Sequence, residues 1–213
     1  MTINFDAISK IKNDIEIVSP STKLLIVTKN QNTDDIDNLI SRGYQNFGEN
    51  RVQEAYLKYS QRIINQNINL NLIGPLQTNK VKIALNLFNT IQTLDREKLV
   101  DEIVKEQEKN KTITKNFFIQ INIGQEKQKN GIQEVQLNSF YEYCLNSNLN
   151  IIGLMCIPPN NENVETYFSK MILLRNQINP ALKLSMGMSN DYLIALKYKT
   201  DLIRIGSKIF RDE

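Results

Sequence analysis

Few side chains in this sequence can do covalent chemistry, and one lysine stands out among them. Lys29 closes the run Lys23-Leu24-Leu25-Ile26-Val27-Thr28, whose apolar centre reads as a buried strand. A lysine there would hold its head at the mouth of a sheet or barrel, partly out of water. Desolvation favours the neutral amine, and a neutral lysine amine can condense with an aldehyde. The plainer alternative is a solvated lysine at a strand end. Two further segments have the character of anion donors. Ser189 lies near the start of a helical stretch from about Asp191, and Gly206-Ser207 would open a short last helix running to Phe210. Backbone N–H groups at helix starts point at anions, and serine hydroxyls add donors. The alternative is that Gly187 and Gly206 are turn glycines and the serines are caps.

What is missing narrows the chemistry. The chain has no histidine, which excludes histidine triads, histidine metal sites and imidazole acid–base catalysis. Its two cysteines, Cys144 and Cys156, match no metal or redox spacing and read as packing residues in a reducing compartment, so no metal is expected. The formal net charge is only +3, with lysines scattered along the chain. That argues against a nucleic-acid partner while suiting an anionic ligand. The charged stretch Lys105 to Lys111 reads as a solvated face. No stretch approaches the ~20 apolar residues of a membrane span. Met1 to Asp6 lacks the basic and apolar regions of a signal peptide. A cytoplasmic protein is expected.

The elements that must position these residues repeat along all 213 residues. Ile8, Ile11 and Ile15 give an opening amphipathic helix. Strand-length runs follow at Lys23–Thr28, Gln45–Phe47, Leu70–Ile73, Thr90–Thr93, Asn116–Asn122, Ile151–Cys156, Leu182–Ser185 and Leu202–Ile205. Helical-period segments alternate with them, from Thr33 to Arg42, Arg51 to Ile63, Lys80 to Leu87, Arg96 to Lys109, Glu134 to Leu145, Val164 to Ile178, and Asp191 to Tyr198, with Ser207 to Phe210 last. Eight such units imply a parallel sheet, and at this length a single closed (β/α)₈ barrel of the TIM type, one domain over 1–213 with an extra N-terminal helix. An open doubly wound sheet is the alternative. Asn160 to Asn163 reads as a loop. In a barrel the site gathers at the C-terminal ends of the strands, and the first and last strands are neighbours. Lys29 and the donors at Ser189 and Gly206-Ser207 would then face one ligand.

The same residues carry a resemblance. Val27-Thr28-Lys29, Phe47-Gly48-Glu49-Asn50-Arg51-Val52-Gln53-Glu54, Ile73-Gly74-Pro75-Leu76-Gln77-Thr78-Asn79-Lys80, Gly153-Leu154-Met155, Leu184-Ser185-Met186-Gly187-Met188-Ser189 and Arg204-Ile205-Gly206-Ser207-Lys208-Ile209-Phe210 resemble, in order, the YggS-type pyridoxal phosphate homeostasis proteins. The resemblance implies a barrel like the N-terminal domain of alanine racemase. It implies pyridoxal 5′-phosphate as a Schiff base on Lys29, with Ser189, Gly206 and Ser207 holding the phosphate and Arg204 facing the pyridine nitrogen. Asn50 would lie near the cofactor, and Met155 and Met188 would pack around its ring. The family is regarded as carriers in vitamin B6 homeostasis, which makes cofactor-requiring apoenzymes the expected recipients. A monomer is implied, with a dimer as the alternative. Two departures stand out. Asn71 replaces a histidine common in relatives, and the usual glycine after Phe210 is missing.

Arg204 also bears on enzyme against carrier. A permanent cation cannot accept the proton that makes the cofactor a strong electron sink. Racemisation needs a base on each face, and beyond Lys29 no second base is placed by motif; Tyr44, Tyr56, Tyr192 and Tyr198 are unassigned. A carrier without robust catalysis is therefore expected, with a weak amino-acid racemase as the alternative.

Overall fold

The spacing of Ile8, Ile11 and Ile15 does make a helix, α1 (Phe5–Val18), with all three side chains buried. Ala7 N donates to Asn4 Oδ1 at 2.8 Å, which fixes where the helix begins. The structure, a computed structural model, describes residues 2–65, 67–159 and 163–211. Before α1 lies a two-residue strand, β1 (Thr2–Ile3).

The barrel follows as β2 (Lys23–Val27), β3 (Asn46–Glu49), β4 (Asn69–Leu72), β5 (Thr90–Leu94), β6 (Asn116–Ile121), β7 (Ile151–Cys156), β8 (Lys183–Ser185) and β9 (Leu202–Ile205). Neighbours pair in that order, all in parallel, and β2 pairs with β9 through Leu25↔Arg204 and Ile26↔Ile205 to close the ring. The eight runs read from the sequence are these eight strands, and the barrel is closed rather than open.

Outside the strands run α2 (Thr33–Ser41), α3 (Val52–Tyr59), α4 (Arg62–Asn65), α5 (Val81–Leu85), α6 (Glu97–Lys109), α7 (Leu137–Asn146), α8 (Val164–Ile178) and α9 (Tyr192–Lys197). The stretch expected as one helix from Arg51 to Ile63 is broken at Ser60-Gln61. Asn160 to Glu162 lie outside the described residues, while Asn163 caps α8, its Oδ1 accepting from Glu165 N at 3.1 Å.

One expected helix does not form. Ser207 to Ile209 make a turn in which Ile209 N and Phe210 N both donate to Gly206 O, and β10 (Phe210–Arg211) then pairs antiparallel with β1. Four residues are too few to repay helix nucleation when strand pairing is on offer. The vacant side of the ring is covered by α1, which packs on α9; Tyr192 Oη donates to Asp14 Oδ2 at 2.8 Å across that seam.

Strand alternation separates two cores. Outward residues such as Ile26, Phe47, Leu70, Leu72, Ile91, Leu184 and Ile203 join the helices in one large cluster. The barrel interior holds a small apolar cluster of Leu25, Val27 and Ile73, and beside it several polar side chains. Cys144 and Cys156 are free and buried, as packing residues should be, and burial pushes both thiols up to about 12. No described helix is long and apolar enough to cross a membrane.

Candidate functional site

The C-terminal rim of β2 turns sharply. Gln31 N donates to Thr28 O at 3.1 Å, and Asn30 takes a positive φ of 62°, which asparagine tolerates better than most residues. Lys29 therefore leaves the strand end on a turn and is exposed, not partly desolvated as its position in the sequence implied. The same turn points it into a cavity of about 390 Å³ at the barrel mouth.

That cavity gathers Lys29, Asn50, Met188, Ser189, Arg204, Gly206 and Ser207. Met155 is not at its wall. It is fully buried, paired with Gln120 and Ser185 on the neighbouring strands. The apolar wall is supplied by Val27, Ile73 and Ile157. Asn190 and Asp191 complete the lining, and sequence reasoning assigned no role to any of these five.

The donors at the last two strand ends are free. Among the described residues, no backbone hydrogen bond uses the N–H of Ser189 or Ser207, and no protein group engages either hydroxyl. Gly206 lies flat against the pocket wall. A Cβ there would sit 3.2 Å from Val27 O and 3.3 Å from Val27 Cβ, tighter than ordinary packing. Gly74 holds a second close approach, since its Cβ would fall 2.2 Å from Asn50 O. That contact sets the loop carrying Asn50.

Arg204 is buried at the pocket floor, only 4% exposed. Its Nη1 donates to Ser185 Oγ at 2.8 Å and its Nη2 to Cys156 O at 2.7 Å. Ser185 Oγ donates to Gln92 Oε1 at 2.6 Å, Gln92 Nε2 to Asn71 Oδ1 at 2.9 Å, and Asn71 Nδ2 to Asn69 O at 3.3 Å. This line runs from the pocket to a smaller cavity at the opposite face, lined by Asn69 and Asn71. Burial pulls the Arg204 guanidinium below its ordinary value, opposed by Asp191 nearby. Burial raises the Asp191 carboxyl in turn, while the Met188 N–H, 2.5 Å from its Oδ1, holds it down.

A second polar group lies behind Lys29, between barrel and α3. Thr28 Oγ1 donates to Glu49 Oε1 at 2.8 Å and meets Tyr59 Oη at 2.8 Å. Lys58 Nζ donates to Thr28 O at 2.7 Å, to Glu49 Oε1 at 3.1 Å and to Glu54 Oε1 at 2.5 Å. Glu49 is fully buried and, among the described residues, its Oε2 has no partner. Burial raises its carboxyl above the usual 4.5, with Lys58 and Thr28 pulling the other way. The i,i+4 pair Glu54–Lys58 was the legible sign of this group in the sequence.

No family model matches the chain. A pyridoxal phosphate homeostasis protein of Aquifex aeolicus is 39% identical over 197 residues, covering 88% of this chain and 86% of the relative. Among solved structures, PipY of Synechococcus elongatus is similar both without PLP, at 26% identity and TM-score 0.85, and with PLP bound, at 25% and 0.81; each covers 97% of this chain and 99% of PipY. Alanine racemase of Corynebacterium glutamicum shares the fold at 14% identity and TM-score 0.68, covering all of this chain and 62% of the racemase.

Proposed function

The chain belongs to the pyridoxal phosphate homeostasis protein family, and on that premise we propose that its rim pocket holds pyridoxal 5′-phosphate, with Lys29 joined to the cofactor aldehyde as a Schiff base. The observation that carries the reading is the convergence of a lysine, a set of free N–H and hydroxyl donors and a buried guanidinium on one cavity. The residues fit such a group. Its volume is in the range of small-ligand pockets. Ser189, Ser207 and the backbone at Gly206 present unengaged donors, which suit a phosphate. Val27, Ile73, Ile157 and Met188 supply an apolar lining for an aromatic ring. Asn50 stands at the edge, and Met155 acts from beneath as packing.

Bound pyridoxal phosphate supplies an electrophilic aldehyde and a ring whose electron-withdrawing power depends on a protonated nitrogen. Lys29 would contribute the amine that condenses with that aldehyde, the aldehyde oxygen leaving as water. Arg204, assigned to the ring nitrogen, offers only donors and cannot take up that proton. Gln92 and Ser185 hold the guanidinium still. None of Tyr44, Tyr56, Tyr192 and Tyr198 lines the pocket, and the Tyr192 hydroxyl is bonded to Asp14. A second proton-transfer group opposite Lys29 is not part of this reading, which is of a carrier rather than a racemase. As a single domain over 1–213 in a reducing, cytoplasmic setting, acting as a monomer, the chain would pass the cofactor to apoenzymes that require it.

Borohydride reduction followed by peptide mapping is the test. The expected outcome is a phosphopyridoxyl group on Lys29 and its loss, with loss of visible absorbance, in Lys29→Ala. Label elsewhere only, or none, would sink the reading. Deuterium wash-in at the α-carbon of several amino acids should be absent or very slow, and rapid exchange would replace the carrier by an enzyme.

A further inference from the structure

Both peptide groups that flank Lys29 are gripped by the polar group behind it. On the N-terminal side, Lys58 Nζ donates to Thr28 O at 2.7 Å. On the C-terminal side, Asn30 N donates to Glu54 Oε1 at 2.5 Å. Lys58 and Glu54 are themselves paired at 2.5 Å, so one ion pair holds the two ends of the same residue. Glu49 completes the arrangement. It pairs with Lys58 at 3.1 Å and accepts from Thr28 Oγ1 at 2.8 Å, and Tyr59 stands against the same hydroxyl at 2.8 Å. The directions of the two peptide planes fix where a residue's Cα–Cβ bond points. Lys29 has a long, exposed side chain, so these backbone contacts set its aim.

The composition of this group argues for a positioning role. Thr28, Glu49 and Tyr59 are fully buried, and Lys58 is 7% exposed. Apolar residues of similar volume would plug the space between barrel and α3 at lower desolvation cost. Burying one cation between two carboxylates gives up stability and gains a fixed geometry. Among the described residues Glu49 Oε2 is left without a partner, and burial raises that carboxyl, as expected where stability alone was not served.

We propose that Lys58, Glu54 and Glu49 form a clamp that positions Lys29 for its bond to the cofactor aldehyde. These are positioning residues, outside the pocket wall. The proposal rests on Lys29 being the attachment residue and goes beyond it by assigning what aims it.

The experiment uses the full chain and two readouts. Hydrogen exchange at the Asn30 amide is followed without cofactor, and pyridoxal phosphate affinity by titrating visible absorbance. In Glu54→Ala and Lys58→Met the Asn30 amide should exchange about tenfold faster, and affinity should fall about tenfold, the scale seen when the support of a site group is removed. Reduction should still label Lys29. The double variant should be little worse than either single one, because the two act as a unit. Lys58→Arg, which keeps a cation, should recover part of the affinity. Should Lys58→Met unfold the chain through its stranded carboxylates, Glu54→Ala, at the partly exposed edge of the clamp, serves with the same readouts. Unchanged exchange or unchanged affinity in a folded variant overturns the clamp alone. Failure of the unaltered chain to label Lys29 overturns the attachment reading, and the clamp's purpose with it.

Discussion

At the scale of single residues, burial decides which charges are at rest. Glu49 is fully enclosed, with one oxygen unpaired among the described residues, and its carboxyl sits above the usual 4.5. As pH falls, the folded chain therefore takes up this proton before the unfolded chain does. Stability contributed by Glu49 rises as pH drops through its folded-state titration and stops rising near 4.5, where the unfolded chain titrates as well. Glu54 works the other way. Burial pushes it up, but hydrogen bonds from Lys58 and the Asn30 N–H outweigh that and hold it low, so its contribution is lost only below its unfolded value. Urea unfolding of the wild type and Glu49→Gln between pH 7 and about 4.5 separates the two. The stability gap between them should shift in favour of the wild type as pH falls, and a gap independent of pH would show that Glu49 carries no raised affinity. Lys29 teaches the opposite lesson. Its sequence position suggested desolvation, yet the turn at Asn30 leaves it exposed, and a turn's side-chain direction is not written in an apolar run.

At the scale of elements, the strands were legible because strand-length runs, most of them apolar, alternate with helical spacing, and all eight appear where those runs lie. The last helix was misread because Ser207 to Phe210 has helix-compatible composition, and only the distant partner Thr2-Ile3 turns its end into a strand. With that helix missing, α1 carries more of the shell than an added helix would. Ile11, 1% exposed under α1, should cost about 2–5 kcal/mol on replacement by alanine, read from the denaturant midpoint. A cost under ~1 kcal/mol would mean that α1 is only an accessory. The loop after β4 is set by contact with backbone rather than with side chains. Gly74→Ala drives a Cβ against Asn50 O, so it should destabilise by about 1–3 kcal/mol and weaken cofactor binding through the displaced Asn50. Normal stability with normal binding would show that the loop yields freely.

At the scale of the whole molecule, the ring closure between β2 and β9 is what brings Lys29 and Arg204 to one pocket from opposite ends of the chain. A ligand that ties these ends together stabilises only the folded state. At about one hundred times its dissociation constant, pyridoxal phosphate should add roughly 2.7 kcal/mol, seen as a raised melting temperature that Lys29→Ala largely loses. The pocket's membership was largely legible through its motifs. The interior line Ser185–Gln92–Asn71 was not, since its residues are far apart in sequence and polar for no local reason. That line has a direction. Every donor along it points away from Arg204, so the negative end of each dipole faces the guanidinium, and neighbouring dipoles polarise one another. The barrel axis thus carries a standing electric field that steadies the buried cation alongside the nearby Asp191 carboxyl. A nitrile-bearing ligand in the rim pocket would register that field as a vibrational Stark shift, and Gln92→Leu, which cuts the line in the middle, should shrink it.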